Sequence, residues 1–208
     1  DALTNPFTQD CSPSTTLTGS NNSCGNADPF CTGSVYTYCN NIDIPSSGPI
    51  GCLNSTPNPM WLYFQIDNPG QIDMDIVQQD YFGSNIDVNF ALWGPYTDLT
   101  GACSDALTNP FTQDCSPSTT LTENATLNAV QSGDIYLLLL TNESGIPGQI
   151  TIAQVGGTGT TDCSIVLPCS ISGDVTDVNC FGGSDGEIEA NWTGSANYTV
   201  ELLDNVGS

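Results

Sequence analysis

The sequence predicts an all-β protein: a disulfide-stapled β-sandwich of jelly-roll or Ig-like type, followed by a partial Ig-like β module. Three observations carry that expectation. Strand-like runs with period-2 alternation recur between turns rich in Gly, Pro, Asn and Ser, and no stretch shows an amphipathic helical period. Ten cysteines are spread through turn-like sequence in 208 residues, which fits disulfides in an oxidising, extracellular setting better than a zinc site.

Residues 1–18, DALTNPFTQDCSPSTTLT, recur identically at 105–122, while the sequence on either side does not repeat. Diverged tandem domains would show weaker similarity over a whole period. The repeat is therefore either a very recent duplication or an artefact of sequence assembly, and the second copy sits more naturally between its neighbours. Residues 1–23 read as an irregular N-terminal arm, 24–165 as the Cys-rich β-sandwich, and 166–208 as the start of a second, truncated module. No signal peptide is present, so the chain is expected to begin after processing or to be a fragment.

Within the sandwich the expected strands are 34–39, 60–67, 71–78, 86–93, 133–142 and 148–155. In 71–78, Ile72, Met74 and Ile76 face a core while Asp73 and Asp75 face water. In 86–93, Ile86, Val88, Phe90 and Leu92 alternate with Asp87, Asn89, Ala91 and Trp93, and Gly94-Pro95 stops the strand. The run Ile135–Leu140 is apolar on both faces, which predicts a central strand covered on both sides. In the second module, strands are expected at 173–180, 185–192 and 197–204, with the glycine-rich turn FGGSDG between the first two. Three strands fall short of the roughly seven that a closed sandwich needs.

Charge narrows the function. The chain has 23 Asp plus Glu and no Lys, Arg or His, a formal net charge of −23. Without a cation it has no side chain to neutralise nucleic acid or to dock on anionic lipid. Without His there is no Ser-His-Asp or Cys-His pair, and without Lys no Schiff base. A carboxylate pair could still hydrolyse a glycoside, but nothing singles out such a pair here. The longest apolar run, 135–140, is six residues, far short of the roughly 18 that suggest a membrane span, so no direct membrane insertion is expected. The chain reads as non-enzymatic.

The succession CGNADPFC (24–31), GPIGCLNSTPNPMWLYFQI (48–66), DVNFALWGPYTDL (87–99), SGDIYLLLLTN (132–142), PGQITI (147–152) and GTGTTDCSI (157–165) resembles a module of large secreted Bacteroidota surface proteins. Such proteins are typically exported by the type IX secretion system. VTDVNCFGGSDGEIEANWTGSANYTVELLD (175–204) is similar to the SprB repeat, named for the gliding-motility adhesin of that phylum. It departs from those repeats in carrying GSANY (194–198) where they have GG-x-x-P-Y, and in ending before their second cysteine. The resemblance implies a multidomain, β-rich adhesin or surface filament protein at the bacterial cell surface, with neither module catalytic.

Several residues are candidates for a site. Asp87 and Asn89, with Asp73 and Asp75 one hairpin earlier, offer oxygens of the kind Ca²⁺ takes, against the alternative of solvated acids on an outer face. A bound Ca²⁺ would relieve the self-repulsion of so many acids. Trp93 and Tyr96, together with Trp61, Tyr63 and Tyr81, could stack on a sugar, although aromatics in β modules more often fill cores. Asn-x-Ser/Thr sequons fall at Asn21, Asn54, Asn124, Asn142, Asn191 and Asn197.

Among the disulfides, Cys103 with Cys115 would close a short loop after the WGPYTDL turn. Cys24, Cys31, Cys39 and Cys52 can pair among themselves or with Cys163, and Cys169 can pair with Cys180. The chain as a whole reads as a structural or adhesive protein that associates with itself, with other surface proteins or with glycans. Its alternatives are a carbohydrate-binding module and a filament subunit polymerising by strand addition.

Overall fold

The strands in chain order are β1 (Asp28–Pro29), β2 (Tyr36–Cys39), β3 (Pro59–Asn68), β4 (Gly70–Asp80), β5 (Asn85–Ile86), β6 (Asn89–Tyr96), β7 (Thr112–Ser116), β8 (Glu123–Val130), β9 (Ile135–Thr141), β10 (Gly148–Gly156), β11 (Thr160–Thr161), β12 (Ser170–Thr176) and β13 (Glu187–Thr193). One short helix, α1 (Leu99–Ser104), follows β6. The computed structural model describes residues 21–33, 35–104, 107, 112–165, 170–176 and 187–193. The first copy of the repeat, most of the arm, Cys169, Cys180, Asn197 and the strand expected at 197–204 lie outside the described residues.

The chain divides into two compact units, Asp1–Val166 and Leu167–Ser208. The first is a sandwich of two sheets. One sheet runs β1-β3-β9-β6-β7, with β11 sharing the outer edge of β3; the other runs β2-β10-β4, and β8 and β5 share the far edge of β4. In the second unit, β12 and β13 pair antiparallel from Ser170↔Thr193 to Thr176↔Glu187.

Alternation places the core. Ile72, Met74 and Ile76 of β4, Phe90 and Leu92 of β6, and Tyr136, Leu138 and Leu140 of β9 meet between the sheets, joined by Leu62, Phe64 and Ile66 of β3 and by Ile150 and Ile152 of β10. Asp73 and Asp75 stand on the opposite side of β4, only partly exposed, as the alternation requires. The all-β reading holds, and β9 is central, flanked by β3 and β6 with Leu137 through Leu140 fully buried.

The structure departs from sequence expectation at several places, and β12 begins at Ser170 rather than at Gly173. The run 86–93 is not one strand: Ile86 pairs with Gln78 in one sheet, whereas Asn89 pairs with Thr141 in the other, so Asp87 and Val88 cross between sheets. Ile86 is therefore half-buried rather than a core residue. Gly94-Pro95 does not end β6, which continues to Tyr96 through an irregularity in register. Strands β7 and β8 and the helix α1 were not expected; β7 lies inside the second copy of the repeat and forms the edge of its sheet.

The outer face of β6 and β9 is also closed. Ala91, Trp93, Leu137 and Leu139 pack with Leu53, Trp61 and Leu107 in a second apolar cluster, where the indoles of Trp61 and Trp93 stack at 6.0 Å. Segments outside the strands, among them α1 and a 3-10 turn at Cys24–Asn26, cover this cluster, and disulfides hold them. Cys24 bonds to Cys103 and Cys52 to Cys115, which lies in β7, while Cys31 bonds to Cys163 beside β1 and β11 at the opposite edge of that sheet. Cys39 is also disulfide-bonded.

The expected Cys103–Cys115 bridge is thus corrected. Each of those cysteines instead fastens a distant segment, because the outer cluster brings residues 24 and 52 over the sheet. The closed loops are long, with separations of 79 and 63 residues, and in the chain-entropy model each such bridge stabilises by about 4 kcal/mol.

Two measurements check this arrangement. Peptide mapping without reduction should recover Cys24 joined to Cys103 and Cys52 joined to Cys115, and no peptide joining Cys103 to Cys115. A Cβ at Gly94, where φ is +147°, would lie 2.5 Å from Tyr136 Cδ1 and 3.0 Å from the Ile135 carbonyl oxygen. Gly94→Ala should therefore lower stability by about 2 kcal/mol or more in denaturant titration.

Candidate functional site

In a chain without Lys, Arg or His, each carboxylate must find a neutral donor or remain in water. On the outer face of β4, Asp73 accepts from Gln71 Nε2 at 2.8 Å and from Thr126 Oγ1 at 3.0 Å, and Asp75 accepts from Asn124 Nδ2 at 2.5 Å. Asp87 and Asn89 belong instead to the crossover and the start of β6, in the other sheet. The four residues expected to share a cation are therefore split in two pairs, and the Asp73–Asp75 pair is already supplied with amide and hydroxyl donors. Among the described residues no group of three or more His, Cys, Asp or Glu side chains is placed to hold a metal ion.

Asp87 stands out from the other acids. Burial raises its pKa, and the neighbouring charges of Glu123 and Glu143 raise it further. Its Oδ1 is buried without a hydrogen-bond partner among the described residues, as are Asn89 Oδ1 and Thr141 Oγ1. Glu123 is buried as well, but Ser118 Oγ donates to its Oε1 at 3.0 Å and Thr120 Oγ1 at 2.6 Å. Glu143 is exposed and accepts from Ser55 Oγ at 3.1 Å.

The aromatic platform does not form on Trp93. Its side chain is 0% exposed and Trp61 is 7% exposed, both beneath the disulfide-held covering segments. Tyr63 and Tyr96 pack partly buried against the same cluster. Period-2 alternation put Trp93 on the face away from the sandwich core and could not show that this face has a cover of its own. Of the aromatics singled out, Tyr81 is open to solvent at 56% exposure, and its neighbour Phe82 more so at 89%.

The sequons are unlike one another. Asn54 is exposed, and Asn124 is exposed although its amide is held by Asp75. Asn142 is 1% exposed and donates to the carbonyls of Asn41 and Ile146, so it cannot accept a glycan in the folded chain. Asn21 is also buried, and its Oδ1 accepts from Asn41 Nδ2.

One titratable residue escaped the sequence reading. Asp28 lies on β1 beside Leu62 of β3, and burial pushes its carboxyl up to about 6, an effect partly offset by a hydrogen bond with Asn21. Burial raises the Tyr63 hydroxyl and the Asp28 charge adds to it; Tyr38 is raised by burial first, then by Tyr36 and least by Asp28. Nothing in the text CGNADPFC marks that aspartate, because its burial comes from strands distant in sequence.

No known family model matches the chain, and no curated protein shows significant similarity to it.

Because Asp28 has a raised pKa in the fold, it binds a proton more tightly folded than unfolded. Its favourable contribution is present below the ordinary carboxylate pKa of 3.8 and is lost as pH rises through about 6. Asp28→Asn should therefore stabilise the protein at pH 7, and its advantage over the parent should shrink as pH falls toward 4. Thermal unfolding of both proteins across that range checks the sign.

Proposed function

We propose that this chain is a non-catalytic structural and adhesive segment of an extracellular bacterial surface protein. The bridges Cys24–Cys103, Cys31–Cys163 and Cys52–Cys115 fit a protein that folds in an oxidising environment. The lack of any Lys, Arg or His supports the non-catalytic half of the reading. Its resemblance to secreted Bacteroidota surface modules and to the SprB repeat motivates the cell-surface placement and export by the type IX system.

The observation that carries the adhesive half is the turn between β4 and β5. Tyr81 and Phe82 contact each other edge-on at 5.7 Å and project into solvent. Asp80 holds the turn rigid, since its Oδ1 accepts from the backbone N–H groups of Phe82 and Ser84, while the Asp80 N–H donates to the Ser84 carbonyl. An aromatic pair offered to water on a stiff turn is suited to contact another molecule. Among the described aromatics Tyr81 and Phe82 are the most exposed, so a carbohydrate-binding role would draw on this turn rather than on the covered Trp61–Trp93 pair.

Beads coated with the protein should attach to intact cells of the producing organism, and Tyr81→Ser with Phe82→Ser should cut that attachment without lowering the unfolding temperature. Competition by free polysaccharide would move the reading to glycan binding. Equal attachment by the parent and the double variant would reject the turn as the contact.

A further inference from the structure

We propose that the corner where the chain crosses from β5 to β6 is a calcium site, with Asp87, Asn89 and Thr141 supplying buried oxygens and Glu143 standing at its rim. This site is distinct from the adhesive turn and does not depend on the function assigned to that turn.

The geometry follows from register. Asn89 and Thr141 are directly opposite each other on β6 and β9, and directly opposite residues project to the same face. That face is the outer one, since Ala91, Trp93, Leu137 and Leu139 share its parity and form the outer cluster. Val88 packs in the inter-sheet core with Phe90 and Leu92, so the alternation extends back through the crossover and puts Asp87 on the side of Asn89. Thr141 is 0% exposed and Asn89 7%, yet Thr141 Oγ1, Asn89 Oδ1 and Asp87 Oδ1 have no hydrogen-bond partner among the described residues.

Three buried oxygens left unsatisfied in one neighbourhood are costly. A single water could serve the hydroxyl and the amide. A carboxylate facing two further acids, Glu123 and Glu143, has a stronger need, and no side chain in the sequence can meet it with positive charge. The donor set is oxygen only, which suits a hard cation. Ca²⁺ accepts six to eight oxygens in flexible geometry, so backbone carbonyls and water can complete a shell begun by a few side chains. Glu123 adds negative charge but is not counted as a ligand: two hydroxyls, of Ser118 and Thr120, hold its Oε1, whereas the exposed Glu143 has the single hydroxyl of Ser55 to exchange. With two carboxylates rather than three, the site is consistent with the lack of any three-acid cluster among the described residues.

The test uses the whole chain, stripped with a chelator and titrated with CaCl₂ while thermal unfolding is followed. A saturable rise in unfolding temperature is expected. Asp87→Asn and Thr141→Val should each weaken the apparent affinity by about tenfold or more, whereas Asp73→Asn with Asp75→Asn should leave it unchanged. Tb³⁺ should show luminescence excited through tryptophan, displaced by Ca²⁺, a readout that does not depend on the stability of a variant. No saturable Ca²⁺ effect, or an effect that Asp87→Asn leaves intact, would overturn the site and leave a water in the corner or diffuse binding to surface acids.

Discussion

The structure depends on the need to bury β9 on both faces. Four consecutive leucines, Leu137 to Leu140, are fully buried, and each buried leucine side chain stabilises by about 2 kcal/mol relative to exposure. Leu138 and Leu140 are covered by the facing sheet. Leu137 and Leu139 need a second cover, and irregular segments carrying Leu53 and Leu107 provide it, with Trp61 and Trp93 filling the space between. Such segments have no ladder of hydrogen bonds to the sheet and would open readily, which gives Cys24–Cys103 and Cys52–Cys115 their place.

The same fold answers the charge problem of a chain with only acidic side chains. Amides and hydroxyls take the positions that Lys and Arg fill elsewhere: Gln71 for Asp73, Asn124 for Asp75, Ser118 and Thr120 for Glu123, and Ser55 for Glu143. Backbone N–H groups serve others, including Gly101 for Asp98 just ahead of α1, Thr126 for Asp114, and Ser164 for Asp162. The Asp114 contact also occupies a backbone donor of β8, a strand at the rim of its sheet. Asp87, whose Oδ1 has no partner among the described residues, departs from this pattern.

Sequence alone showed the sandwich class, the inward faces of β4 and β9, and the central place of β9, because each rests on alternation or on an apolar run. It missed β8, whose inward residues are Ala125, Leu127 and Val130; the small alanine and the positive φ of Ala129 break the period before Val130. It joined β5 to β6, since a change of sheet at Asp87 leaves the alternation of side chains undisturbed. It treated the Trp93 face as open, as a cover made of distant irregular segments leaves no periodic trace. The disulfide partners were hidden for the same reason: they report which segments lie over the sheet, not how the cysteines are spaced.

Native-state amide exchange, resolved by peptide, tests most directly whether β9 is the doubly covered centre. Backbone amides in Ile135–Thr141 are expected to exchange last, and only through global unfolding, while the outer strand Tyr36–Cys39 exchanges through local opening. Exchange of 135–141 as fast as that of 36–39 would contradict the two-sided burial on which the arrangement rests.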